Sequence, residues 1–159
     1  MNILVLCTGN SARSILGEAL FSTLGKGRVQ AFSAGSKPVG KVNPFALERL
    51  EREGFDTSGF RSKSWDEFTG AGAPEIDIVV TVCGNAAGET CPVWIGGPIT
   101  VHWGFPDPAG VEGSDEDIRA AFKTVYDGLK KNVETFLTLD IEGMGKTELR
   151  DRMLAIHQD

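Results

Sequence analysis

The stretch Cys7-Thr8-Gly9-Asn10-Ser11-Ala12-Arg13-Ser14 lies between a short apolar run, residues 1–6, and residues 15–21, whose apolar side chains recur at helical spacing. The run is long enough for one buried parallel strand. The segment therefore reads as a strand, a tight turn and a helix start. That places a cysteine at the carboxyl end of a strand, facing the amino end of a helix.

The first turn of a helix offers unpaired N–H groups and the positive end of the macrodipole, and together these hold tetrahedral oxyanions. Gly9 and the small Ser11 and Ala12 let successive N–H groups turn inward as a nest. Arg13 adds a planar fork able to grip two oxygens. The same field is expected to hold the Cys7 thiol below its ordinary value of ~8.5 and so make it a nucleophile. Strand-end cysteines are often inert small hydrophobes. A cysteine, a glycine and Arg-Ser at this spacing on a strand-to-helix junction point instead to chemistry.

A chain of 159 residues suffices for one domain with a single core. The net charge of −6 argues against a general nucleic-acid or membrane binder. The first apolar run has no basic flank and is too short for a signal, and nothing approaches transmembrane length. Three cysteines is an odd count that fits poorly with a secreted disulfide scaffold. The expectation is a cytoplasmic protein whose cysteines do chemistry.

Residues 28–35 alternate and end in glycine, which predicts a second strand. Asn43-Pro44 caps and starts a helix to about residue 53, closed by Gly54. Ser64 with Glu67 predicts a capping box on a short helix. Residues 77–83 form the most apolar strand and residues 99–103 a shorter one. Ser114 and the acids after it open a long helix, with Ile118, Ala121, Phe122, Val125, Leu129, Val133 and Phe136 on its apolar face. Alternating strands and helices imply a parallel α/β sheet with helices on both faces, and ligands bind beyond the carboxyl ends of such strands. Cys7, Ser33, Cys83 and the segment after Trp103 gather there. Residues 1–140 are read as one domain and 141–159 as a helical carboxyl-terminal extension. Packing on the body, contact with a second subunit and fraying are all open to that extension.

Cys-x5-Arg-Ser near the amino terminus resembles the phosphate loop of the low-molecular-weight protein tyrosine phosphatase superfamily. With Asn10 and Glu18 the string is similar to its arsenate reductase branch. The likeness runs from residue 1 to about residue 138. It implies a three-layer sandwich around a four-stranded parallel sheet, with residues 8–14 binding the oxyanion (Thr8, Gly9, Asn10, Ser11, Ala12, Arg13 and Ser14). The implied activity is reduction of arsenate to arsenite, with phosphate or sulfate as analogues. No bound cofactor or metal is implied, and an external thiol system, thioredoxin or glutathione with glutaredoxin, supplies the electrons. The alternative is a phosphatase that hydrolyses phosphomonoesters through a phosphocysteine.

The resemblance also implies a relay in which Cys83 attacks the sulfur of Cys7 and Cys91 then attacks Cys83. Were residues 83–91 one helix, eight steps of ~1.5 Å would part the two cysteines by about 12 Å. A disulfide needs Cα atoms roughly 4.4–6.8 Å apart, so the segment must be a loop or must rearrange on oxidation. Zinc is not expected, because no Cys-x2-Cys or His-x3-His spacing exists. Asp107-Pro108 resembles the family's general acid. Ala109-Gly110 follow where phosphatases of the superfamily place aromatic residues. His102 is expected to be a packed strand-end residue. In the thioredoxin-coupled subgroup an Asn, a Glu, a Ser and an Asp hold potassium beneath the anion loop. Asn10, Glu18 and Ser33 match and Lys63 stands at the Asp position. Its ammonium is expected to replace the ion by pairing with Glu18 and bonding to Asn10.

Overall fold

The computed structural model describes residues 1–83 and 97–158. Strands β1 (Asn2–Leu6), β2 (Gln30–Ala34), β3 (Ile78–Thr81) and β4 (Ile99–His102) form one sheet in the order β2-β1-β3-β4. Every pairing is parallel. Leu6 pairs with both Ala34 and Thr81, and Thr81 pairs with His102, so the four carboxyl ends form one level rim. The chain steps outward from β1 to β2 and then, from β3, in the opposite direction to β4. The crevice between β1 and β3 is thus the switch point where open α/β sheets bind ligands. Cys7 follows one of these strands directly. Cys83 lies two residues past the end of the other, which stops at Thr81 rather than at residue 83.

The helices are α1 (Arg13–Gly25), α2 (Pro44–Arg52), α3 (Asp115–Leu137) and α4 (Lys146–Gln158), with 3-10 turns at Trp65–Phe68 and Pro108–Gly110. They complete the expected three-layer α/β sandwich. Helix α1 starts at Arg13, earlier than the periodicity from residue 15 suggests. It lies close on the sheet because Gly17 has no side chain; a Cβ there would sit 2.9 Å from Val5 Cγ1. Phe32 alternates to the other face and meets Phe68 at 5.4 Å between ring centroids. Asn43 caps α2 by accepting from Phe45 N at 2.8 Å. Ser64 caps the first 3-10 turn through Asp66 N, but the expected reciprocal bond from Glu67 does not form, because Arg61 draws that carboxylate away. The capping box appears instead on α3, between Ser114 and Asp117.

The buried face of α3 is wider than the apolar pattern. Tyr126 and Asn132 are buried with the expected residues, while Ile118 and Ala121 are half-buried. Tyr126 packs edge-on against Phe55 from beyond α2, and Asn132 lies beneath α4. Helix α4 is held on the body beside β4. Leu149 and Met153 are buried, and Trp103 Nε1 donates to Met153 O at 2.8 Å. No helix among the described residues is long and apolar enough to cross a membrane.

Burial, with Glu53 and Asp127 nearby, pushes the phenol of Tyr126 up to about 12. It is the chain's one tyrosine, so its titration is uncontaminated. The native state holds this proton more tightly than the unfolded chain, whose value is ~10. Stability should therefore be intact below about pH 10 and fall as pH rises toward 12. Ultraviolet absorption should show little phenolate in native protein at pH 10–11, and a normal midpoint of about 10 in urea.

Candidate active site

The turn after β1 is held open by donors that claim its carbonyls. Lys37 N donates to Thr8 O at 3.0 Å, Val39 N to Gly9 O at 3.0 Å and Asn43 N to Ser11 O at 2.9 Å. Ser62 Oγ also donates to Gly9 O, at 3.1 Å. With the carbonyls turned outward, N–H groups are left to turn inward. No side chain caps the start of α1 at Ala12. The loop can approach the end of β2 only because residue 35 is glycine. A Cβ there would overlap Thr8 O and lie 2.8 Å from Cys7 O and 3.0 Å from Asn10 N.

Asn10 holds the turn in left-handed backbone, φ +45°, which asparagine tolerates better than most residues. Its buried amide donates to Ser14 Oγ at 2.7 Å and to Ser33 Oγ at 3.0 Å. Its oxygen accepts from the backbone N–H of Lys63 at 2.9 Å. Ser33 in turn donates to Glu18 Oε1 at 2.5 Å. The Lys63 ammonium lies 3.6 Å from the same carboxylate oxygen and donates to Arg61 O. The pairing with Glu18 thus has the expected partners. The bond to Asn10 differs: the main chain of Lys63 makes it, because the ammonium is already engaged elsewhere. Burial pushes the Lys63 ammonium below its ordinary value, and the charge of Glu18 opposes that.

Above this floor is a cavity of about 260 Å³, lined by Cys7, Thr8, Gly9, Ser11, Ala12, Arg13, Val39, Cys83, Asp107 and Ala109. Cys7 and Cys83 are both buried and not disulfide-bonded. Cys83 Sγ accepts from Thr8 N at 3.3 Å and lies 3.6 Å from Thr8 Oγ1. It lines the same cavity as the Cys7 thiol and lies near enough to act on it. That contact reverses the expected direction of the Cys7 pKa. The bond to Cys83 and burial push the thiol up, and the Cys83 charge adds to them. Arg13 and the Gly9 N–H act downward, as anticipated, and are outweighed. Two sulfurs this close cannot both ionise readily.

Arg13 is fixed at one tip, where Nη1 donates to Phe105 O at 2.8 Å. Its Nε is buried with no hydrogen-bond partner among the described residues. An unmet buried donor costs about 1–3 kcal/mol, which an oxyanion in the cavity would relieve. Asp107 reaches the cavity from the far side. It opens the second 3-10 turn by accepting from Ala109 N at 3.0 Å. Ten predicted residues therefore converge: eight at the cavity (Cys7, Thr8, Gly9, Ser11, Ala12, Arg13, Cys83 and Asp107), Asn10 and Ser14 just beneath. Cys91 and the predicted rearranging segment lie outside the described residues. His102 is exposed, not packed, and its Nδ1 bonds to Thr81 Oγ1. Among the described residues no group of three potential metal ligands gathers. Sequence reasoning missed Phe105, Ser62 and the role of Gly35 as the contact point. Only the glycine at a strand end was a usable signal.

The family described as low molecular weight phosphotyrosine protein phosphatase matches residues 2–150. The arsenate reductase of Halalkalibacterium halodurans is 39% identical over 134 residues, which is 84% of this chain and 93% of that protein. The arsenate reductase of Bacillus subtilis is 35% identical over the same shares. Among solved structures, an arsenate reductase in its phosphate-binding state superposes with a TM-score of 0.66 at 28% identity, covering 86% of this chain and 96% of the other. With the cradle, the sheet order and the sequence match all in agreement, the chain belongs to the low molecular weight phosphotyrosine protein phosphatase family.

Proposed function

We propose that this protein is a cytoplasmic arsenate reductase whose reaction runs through a relay of cysteines. The observation that carries the proposal is the position of Cys83, whose sulfur rests on the anion loop and lines the same cavity as Cys7. Phosphomonoester hydrolysis gives that second thiol no task and is not favoured.

Arsenate binds the N–H groups of residues 8–14 and the fork of Arg13. The sulfur of Cys7 attacks arsenic, an S–As bond forms, and one oxygen leaves as water with a proton from Asp107. The sulfur of Cys83 then attacks Cys7 Sγ. The S–As pair passes to arsenic, which leaves as arsenite, and the two sulfurs, oxidised by two electrons in all, form a Cys7–Cys83 disulfide. Cys91 attacks Cys83 and releases Cys7. Thioredoxin or glutaredoxin supplies the two electrons that reopen the Cys83–Cys91 bond. Proton sharing between Cys7 and Cys83 fits this sequence, since whichever sulfur attacks first leaves the proton near the other.

The deciding experiment is an arsenate assay coupled in parallel to thioredoxin and to glutaredoxin systems. Turnover with either supports the proposal, and none with both refutes it. Asp107→Asn should slow arsenate-driven disulfide formation by about 10²–10⁴-fold, read by quenched mass spectrometry. Because Lys63, paired with Glu18, supplies a fixed cation beneath the loop, turnover should be equal in potassium and sodium buffers of the same ionic strength. A reproducible rise in potassium would contradict that role for Lys63.

A further inference from the structure

The active site is braced from a part of the chain that lies past the family match, which ends at residue 150. His157, near the end of α4, has both ring nitrogens engaged. Nε2 lies 2.9 Å from Gly104 O and Nδ1 3.1 Å from Asn132 Nδ2. A carbonyl can only accept, so Nε2 carries the proton and donates to Gly104. Nδ1 then accepts from the Asn132 amide, and the ring is satisfied at both ends. The imidazole also lies against Phe105, with ring centroids 5.0 Å apart. The Phe105 ring also touches α3 at Gly128, where a Cβ would come within 2.7 Å of Phe105 Cε1. Residues 104 and 105 thus contact two helices.

This short segment has two tasks in the cavity. The Phe105 carbonyl receives Arg13 Nη1 and fixes one end of the guanidinium. Two residues further on, Asp107 enters the cavity. The segment is also held by the Phe105 N–H bond to Val82 O, 3.0 Å, and by its contacts with α3 and α4. Helix α4 is itself anchored beside it by the bond between Trp103 and Met153.

We propose that His157 is a positioning residue for the oxyanion site. By holding Gly104 and Phe105, it sets where the Arg13 fork and Asp107 stand. The proposal rests on the oxyanion reading of the loop given above, but it does not depend on the cysteine relay. A residue that touches no ligand can shift a binding free energy by about 0.5–2 kcal/mol through such a chain of contacts, or roughly 2–30-fold.

The test compares the full chain with His157→Ala, with His157→Gln, which keeps an N–H donor, and with Val29→Ala. The last is a buried truncation at the amino end of β2, on the opposite end of the sheet from the cavity. Inorganic phosphate binding is measured by calorimetry, and hydrogen exchange is followed over residues 104–107. His157→Ala should weaken phosphate about threefold or more and reduce protection of that segment. His157→Gln should recover most of both. Val29→Ala should lower the melting temperature without either effect. Protection and affinity unchanged in His157→Ala would overturn the proposal, as would an equal loss of both in Val29→Ala. If wild-type protein binds no phosphate, the oxyanion reading fails, and the exchange data alone still show whether His157 holds the segment.

Discussion

Cys83→Ala abolishes arsenate turnover and leaves hydrolysis of a small aryl phosphate, if measurable, close to the wild-type rate. Reduction of arsenate needs a second thiol to take the S–As bond's place at Cys7, and Cys83 is the only second thiol among the described residues. Phosphoryl transfer to Cys7 and on to water needs none. The same variant should lower the pKa of Cys7, because the bond from Cys83 is the leading cause of its elevation. With that bond gone, Arg13 and the Gly9 N–H pull the thiol down against burial alone. Alkylation of Cys7 by iodoacetamide at neutral pH should therefore run faster in Cys83→Ala than in wild type. Arsenate turnover that survives the substitution would falsify the relay. Unchanged alkylation would show that the two sulfurs do not share a proton.

Gly35→Ala should have the next largest effect. The added methyl would overlap the Thr8 carbonyl and crowd Cys7 O and Asn10 N together. All three are backbone atoms of the cradle, so none can swing aside as a flexible side chain would. Either the loop shifts outward, or β2 parts from the 63–65 segment, where Gly35 N donates to Lys63 O at 2.9 Å and Trp65 N to Gly35 O at 2.9 Å. Overpacking of this kind costs about 1–3 kcal/mol of stability. Misplacing catalytic groups by about 1 Å costs on the order of 10²-fold in rate. Thermal unfolding and arsenate-driven disulfide formation measure the two losses separately. A folded Gly35→Ala protein with wild-type activity would show that the loop does not depend on this contact.

The local features of the site were legible because each is written in adjacent residues. The apolar run, the small-residue turn and Arg-Ser announce the strand, the nest and the helix within fourteen positions. The parallel α/β class follows from the alternation of strands and helices. What could not be read are contacts between residues far apart in the chain. The rise in the Cys7 pKa depends on a sulfur 76 positions away, and the choice of Lys63 main chain over side chain depends on where Arg61 O lies. The buried face of α3 was under-read for a similar reason. Asn132 is polar, and periodicity assigns it to solvent until α4 is laid over it. Residues 146–158 carry a weaker amphipathic pattern than α3, and no local signal tells where such a helix docks.

The lysine beneath the anion loop has one more consequence. A metal ion in that position would exchange with the surroundings and would have a dissociation constant. An ammonium on its own side chain has neither, since its local concentration is set by the four methylenes that tether it. At 3.6 Å from Glu18 and largely shielded, the pair is also poorly screened by dissolved salt. If Lys63 stands in for the ion as proposed, the cradle's underside keeps its cation in place whatever ions surround it, and a change in ion supply is expected to exert no control on it.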